Sequence, residues 1–291
     1  MKIARYEHAS VTSLGLVDTD LKTITPLSPL PVHGDPMLTF IAESLAGRPI
    51  ATNGAPLALR QVRLLPPIAQ PRKNILCIGK NYAAHAAEFT RSGYDSSARN
   101  KLDVIPDAPI IFTKAPCTMS GAHDDIRVPW EITSQVDYEG ELGVIIGKPG
   151  RAISRDAAYS HVFAYCVIND ATARDLQSKH KQWLLGKSID TFCPIGPWLT
   201  TADEVKPDNL ELQCWVNDEL RQHANTRDLI FDIPAIIATI SASMTLETGD
   251  IIATGTPAGV GIGFDPPRFL ARGDVVRVAI AGLGQIENRI V

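Results

Sequence analysis

Apolar positions along this chain fall into short runs separated by Gly, Pro and polar clusters. Residues 109–113, 142–146, 163–168, 210–216, 251–254 and 275–280 have this character, and each predicts a β-strand. A longer period appears over 82–90, 171–178 and 233–244, which predict helices. An earlier helix is predicted over 36–46. There Asp35 can cap, Pro36 can take the first helical position, Met37, Ile41 and Leu45 recur four apart, and Gly47 can end the turn. Many strands with few helices predict a β-rich α+β protein, not a doubly wound parallel sheet.

Punctuation divides the chain. The prolines of segment 64–72 cannot continue a helix or a central strand, so they predict a linker between a small unit, residues 1–71, and a larger one, residues 72–291. Residues 88–109 carry little apolar periodicity, which suits a lid or binding loop, with a passive surface excursion as the alternative. The segment Gly255-Thr256-Pro257-Ala258-Gly259-Val260-Gly261-Ile262-Gly263 has the glycines of a phosphate cradle. It lacks the following Lys-Ser/Thr, and Asp265-Pro266-Pro267 breaks the helix that a nucleotide loop needs, but its amides could still face a carboxylate.

Composition narrows the function classes. With 291 residues, 45% of them hydrophobic, the chain can bury a substantial core. The 28 Lys+Arg against 32 Asp+Glu leave a formal net charge of −4, with no footprint for nucleic acid or an anionic membrane. No apolar run approaches the ~20 residues of a membrane-spanning helix. The amino terminus lacks an apolar signal region, so the expected compartment is the cytosol. Five cysteines, Cys77, Cys117, Cys166, Cys193 and Cys214, form no Cys-x-x-Cys pair and are read as free thiols.

Candidate chemistry lies in the carboxylates. Alternation along a strand would place Asp137, Glu139 and Glu141 on one face, leading into an apolar run. Acids gathered there repel unless a cation sits among them, although an exposed acidic edge strand would look the same. Asp170 ends the run 163–168 where a helix should start, with Arg174 and Gln177 following at i+4 and i+7. It could be a metal ligand or an N-cap. Glu139, Glu141 and Asp170 make an all-oxygen set suited to Mg²⁺ or Mn²⁺ before Zn²⁺. His85 and Glu88 stand three apart in an alanine-rich stretch, the spacing of a base oriented by a carboxylate, or of a surface pair. Lys187, among apolar neighbours, could stabilise a developing oxyanion, or simply be solvated.

Taken together, Gly79-Lys80-Asn81-Tyr82 with His85 and Glu88, Asp137-Tyr138-Glu139-Gly140-Glu141-Leu142, Asn169-Asp170-Ala171-Thr172-Ala173-Arg174-Asp175-Leu176-Gln177, the stretch 187–197 and Thr254-Gly255-Thr256-Pro257 resemble the fumarylacetoacetate hydrolase family. The resemblance covers roughly residues 72–291, and the unit before it looks like the variable amino-terminal extension of some members. It implies a mixed β-sandwich roll, a homodimer or larger assembly, and Mg²⁺ or Mn²⁺ on Glu139, Glu141 and Asp170. It also implies a water-activating dyad of His85 and Glu88 on a lid. Lys187 and Gln177 would contact substrate and Thr256 would hold a substrate carboxylate, with Tyr82, Arg174 and Gly255 beside them in the binding site. The parts of Arg174 and Asp190 differ between members, and Tyr94 and Arg99 have no dependable equivalents.

The implied reaction is hydrolysis of the C–C bond of a 2,4-diketo acid such as an acylpyruvate, giving pyruvate and a carboxylic acid. Members that decarboxylate oxaloacetate, or that isomerise, decarboxylate or hydrate unsaturated 2-oxo acids of aromatic catabolism, share the same motifs. A structural cation site in a non-catalytic binding module is the alternative from another class.

Overall fold

The computed structural model describes residues 1–30, 34–94 and 104–291. Its centre is strand Val162–Asn169, whose eight residues are all buried. It pairs antiparallel with Gly140–Ile146 on one side and with Cys193–Thr201 on the other. Burial on both faces is why this stretch reads as an unbroken apolar run instead of an alternating one. Beyond Gly140–Ile146 the sheet continues through Ile251–Ala253, Ile75–Gly79 and Ile110–Lys114.

Cys193–Thr201 is a strand although it contains Pro194 and Pro197. The sheet accommodates Pro197 at a register shift opposite Tyr165–Val167, where a missing N–H breaks no ladder bond. On its other edge this strand pairs with Lys2–His8, so the amino-terminal unit extends the central sheet through Val11–Asp18, Thr23–Pro26 and Leu57–Ala58. Helix α1 (Pro36–Leu45) forms as its sequence predicts, with Asp35 Oδ1 accepting from Met37 N at 2.8 Å. The other oxygen of Asp35 accepts from Ala69 N at 2.6 Å, which ties the proline-rich connector to the helix cap.

Alternation along the sheet separates two apolar layers. Leu142, Val144, Tyr165 and Val167 face Leu212, Cys214, Val276 and Val278 of a second, four-stranded sheet (Glu219–Asn225, Glu211–Val216, Val275–Ile280, Gly284–Arg289). On the opposite face Ile145, Ala164, Cys166 and Ile168 pack with Met37, Phe40 and Ile41 of α1. The architecture is a strand-rich α+β fold. Among the described residues all five cysteines are free, and no helix is long and apolar enough to cross a membrane.

Among the described residues, four further α-helices follow, two of ten and eleven residues and two shorter: α2 (Ala83–Ser92), α3 (Arg174–His180), α4 (Leu184–Lys187) and α5 (Ile233–Ser243). The start of α3 corrects the sequence reading. Residues 171–173 are extended, because Thr172–Ala173 pairs with Val136–Asp137 and Arg174 N donates to Gln135 O at 2.9 Å. Asp170 is therefore not a helix cap, and Arg174 and Gln177 share a helical turn with each other and not with Asp170.

Candidate active site

The ends of the central strands bring the acids together. Gly140 pairs with Asn169, so Glu139 and Glu141 sit beside Asp170 at one end of the sheet, and Glu139 N donates to Asn169 Oδ1 at 3.0 Å. All three acids are buried, and one oxygen from each lies within 4.8 Å of the others. Asp137 does not join them. The strand breaks at Tyr138–Glu139, and Asp137 turns aside to accept from Gly261 N at 2.6 Å and Ile262 N at 3.2 Å.

Three buried cations offset this charge. Lys187 of α4 reaches Glu139 Oε2 and Asp170 Oδ2, each at 2.6 Å. Arg174 spans Asp137 Oδ2 at 3.0 Å and Glu139 Oε1 at 2.6 Å, and donates to Gln177 Oε1 at 3.1 Å. Lys114, at the end of its strand, pairs with Asp170 Oδ1 at 2.7 Å and donates to Ala171 O at 3.0 Å. Burial drives the Glu139 carboxyl up, but Lys187 and Arg174 outweigh it and hold the group down to about 2. Burial likewise pulls Lys187 down, and Asp170 with Glu139 carry it up to about 12. Lys114 was not singled out in the sequence; a lysine directly continuing the apolar run 110–113 is the signal that could have found it.

Glu141 differs from its neighbours. Its hydrogen bond comes from Gly255 N at 2.8 Å, and it has no cationic partner among the described residues. Burial, then Asp170 and Glu139, push its pKa well above the carboxylate range. A buried, like-charged carboxylate without a cation, beside two more acids and presenting only oxygen donors, fits a hard divalent ion. Glu139, Glu141 and Asp170 are the residues that would hold it.

A narrow cleft opens over this cluster. His85, Lys80, Glu139, Glu141, Arg174, Gln177, Lys187 and Thr256 supply its polar lining, and Phe89, Phe112 and Trp183 wall it. Trp183 packs edge-on to Phe112 and Phe89 with ring centroids 5.0 and 5.9 Å apart. His85 and Glu88 project from α2, with His85 Nδ1 3.3 Å from Glu88 Oε2. Both are buried, so the pair is not on the surface.

Of the remaining expected residues, Thr256 lines the cleft. Thr256 Oγ1 accepts from Gln222 Nε2 at 2.8 Å and donates to Gly140 O at 3.0 Å. Gly255 commits its amide to Glu141, and Tyr82 is the buried residue preceding α2, its phenol pushed up by burial and by Glu141. Asp190 is exposed. Tyr94 donates to Gln135 at 2.8 Å, while Arg99 and the rest of residues 95–103 of the expected lid lie outside the described residues.

Comparison with known proteins places this arrangement in a family. Residues 74–291 match the model of the fumarylacetoacetate (FAA) hydrolase C-terminal domain, and residues 1–67 match an "Rv2993c-like, N-terminal" domain. The oxaloacetate tautomerase YisK of Bacillus subtilis is 50% identical over 234 residues, covering 80% of this chain and 74% of that protein. A mitochondrial oxaloacetate tautomerase of Xenopus laevis is 44% identical over 81% of this chain and 70% of its own. Among solved structures, a fumarylacetoacetate hydrolase from Exiguobacterium antarcticum superposes with a TM-score of 0.81 at 38% identity, over 100% of this chain and 99% of that one. A maleylpyruvate hydrolase from Sphingobium sp. SYK-6, solved with a manganese(II) ion and pyruvate, gives 0.76 at 34% identity over 100% and 99%. With the catalytic-domain match running through the carboxylates, the dyad and the glycine loop alike, the chain belongs to the fumarylacetoacetate hydrolase family of enzymes.

Proposed function

We propose that the protein is a divalent-cation-dependent enzyme, using Mg²⁺ or Mn²⁺, that interconverts the keto and enol forms of a compact 2-oxo diacid such as oxaloacetate. The observation that carries this reading is the lining of the cleft: Glu139 and Glu141 share it with His85 and Lys187, and Phe89, Phe112 and Trp183 close its wall, the Phe112 ring centroid standing 4.9 Å from Lys187 Nζ. Aromatic rings set so near the charged groups suit a four-carbon diacid better than a long acyl chain. The name borne by the Bacillus and Xenopus relatives supports the same substrate.

The chain's own groups have defined work in this reaction. Glu88 faces His85 Nδ1, so the hydrogen sits there and Nε2 carries the lone pair that takes a proton from C3 of the keto form; the enolate oxygen then takes up a proton to give the enol, Nε2 releases its own to solvent, and the reverse reaction runs the same transfers backwards. Lys187, protonated and fixed by two carboxylates, presents positive charge to the oxygen on which enolate charge develops. Arg174, Gln177 and Thr256 line the part of the cleft that would take the carboxylates. A divalent ion on Glu139, Glu141 and Asp170 would supply Lewis acidity at the 2-oxo group. The reading includes a homodimer, as the family resemblance suggests.

A second reading, hydrolysis of the C–C bond of a small 2,4-diketo acid to pyruvate and an acid, is favoured by the buried His85–Glu88 pair, which could deprotonate water instead of C3. One assay separates them: ultraviolet absorbance of enol-oxaloacetate and of short acylpyruvates, with Mg²⁺, Mn²⁺ or chelator, coupled to pyruvate detection. Metal-dependent relaxation of enol-oxaloacetate without pyruvate upholds tautomerisation. Stoichiometric pyruvate and acid from acylpyruvates transfers the assignment to hydrolysis, and no acceleration of either sinks both.

A further inference from the structure

The glycine-rich segment 255–263 gives its amides to carboxylates of this same chain. Besides the bond from Gly255 to Glu141, Gly259 N lies 3.1 and 3.3 Å from the two oxygens of Glu88. Asp137 holds the far end of the loop through Gly261 and Ile262, and Tyr138 Oη donates to Gly259 O at 2.7 Å. The loop is thus anchored to the segment that leads into Glu139 while it grips α2. A Cβ on Gly263 would overlap the Glu88 carboxylate, and the three atoms nearest to it all belong to Glu88. Gly259 is confined differently: it holds φ +102° against the Arg221 carbonyl, so a side chain there is strained whatever Glu88 does.

We infer that Gly263 is a positioning residue for the acid–base dyad, its missing side chain forming the recess that seats Glu88 against His85. The inference rests on the reading of His85 and Glu88 as the dyad. A glutamate has several rotamers, and one that must orient an imidazole needs a stop on its far side as well as a partner on its near side. Gly259 N supplies the hydrogen bond and Gly263 supplies the room. Gly263 does not use the left-handed region, so alanine there meets no left-handed backbone penalty, and what its methyl group meets first is Glu88.

The test is a double-mutant cycle of Gly263→Ala and Glu88→Ala in the full-length, metal-loaded protein, reading kcat, KM and thermal unfolding. Gly263→Ala is expected to lower kcat on the order of 10²-fold with KM nearly unchanged, the effect of displacing a positioned catalytic group. It should add nothing further to Glu88→Ala. Its loss of Tm should also vanish in that background, where the methyl group fills the space the carboxylate left. Undiminished kcat in Gly263→Ala, or kcat and Tm losses that accumulate independently in the double variant, overturns the inference. Should Glu88→Ala itself turn over at the normal rate, the dyad reading falls. The seat is then judged by unfolding, where coupled Tm changes uphold the contact and additive ones refute it.

Discussion

Replacing Glu141 by Gln removes one negative charge from a buried cluster while keeping its shape and its acceptor for Gly255 N. In chelator, the change is expected to stabilise the protein. Like charges at 4.8 Å, the outer separation of the cluster oxygens, repel by about 3.5 kcal/mol at an effective dielectric of ~20. Glu141 has two such neighbours. Lys187 offsets part of that repulsion and protonation relieves more, because Glu141 is pushed well above the usual carboxylate range by burial, Asp170 and Glu139. A net gain of about 1–3 kcal/mol is left, or about 2–6 °C at ~2 °C per kcal/mol.

The pH dependence has a definite sign. With a raised pKa the folded protein keeps a proton that the unfolded chain releases, so metal-free wild type loses stability as pH rises from the ordinary glutamate range towards the raised value. The Gln variant loses that slope. Divalent ion reverses the order, because wild type is stabilised by binding and the variant, lacking one ligand, is not. Thermal unfolding by circular dichroism at about pH 5 and about pH 8, in chelator and with Mn²⁺, checks each part. A variant that melts below wild type in chelator, or responds to Mn²⁺ as wild type does, refutes the reasoning.

Other perturbations test other parts of the site. Lys114→Met leaves Asp170 with one cation fewer, and in urea unfolding with chelator it should cost about 3–5 kcal/mol, the usual effect of breaking a buried ion pair from one side; an unchanged midpoint would show that Lys114 is not needed to neutralise Asp170. Trp183→Ala removes the wall that faces Phe89 and Phe112, at a cost of about 3–5 kcal/mol. Ranking 2-oxo acids by kcat/KM should then show preference moving to bulkier substrates, and an unmoved ranking would place the size limit elsewhere. Lys187, carried up to about 12, stays charged through the alkaline range, so the pH–rate profile should have no limb from it below about pH 11. An alkaline limb that disappears in Lys187→Arg would contradict this.

Legibility in the sequence followed burial. Runs buried on both faces, such as 163–168 and 142–146, announce themselves as strands because every position is apolar. Glu219–Asn225 does not: it is an outer strand, largely exposed, and its Glu, Arg, Gln, His and Asn say little about its backbone. Cys193–Thr201 is masked by its prolines, since the register shift that tolerates Pro197, residues 197–199 opposite Cys166 alone, appears only when the strand is paired with Val162–Asn169. In the site, Glu139, Glu141 and Asp170 were readable one by one from motif and alternation. Asp137 was misplaced with them, because the strand break at Tyr138–Glu139 depends on pairing with Thr172–Ala173, a long-range contact that local pattern does not encode. Lys114 had no motif, only the oddity of a charge ending a buried strand.

The charges of the site also order its binding events. With Glu141 ionised, Asp137, Glu139, Glu141 and Asp170 would carry one negative charge more than Lys114, Arg174 and Lys187 offset, and without metal the proton that Glu141 keeps makes up the difference. A dianionic substrate would find no net positive charge there, and Lys114, Arg174 and Lys187 are already held by the protein's own acids. A divalent ion that displaces this proton turns the balance positive by one charge while taking up carboxylate oxygens. Metal should therefore precede substrate, and affinity for a small dianion should depend on it. Calorimetric titration with oxalate, an unreactive dianion, tests this: binding is expected with Mn²⁺ present and should be lost in chelator and weakened in Glu141→Gln. Equal oxalate affinity with and without the ion would show that Arg174 and Lys187 leave their carboxylates to receive the ligand, and that the cluster's charge is not what couples metal to substrate.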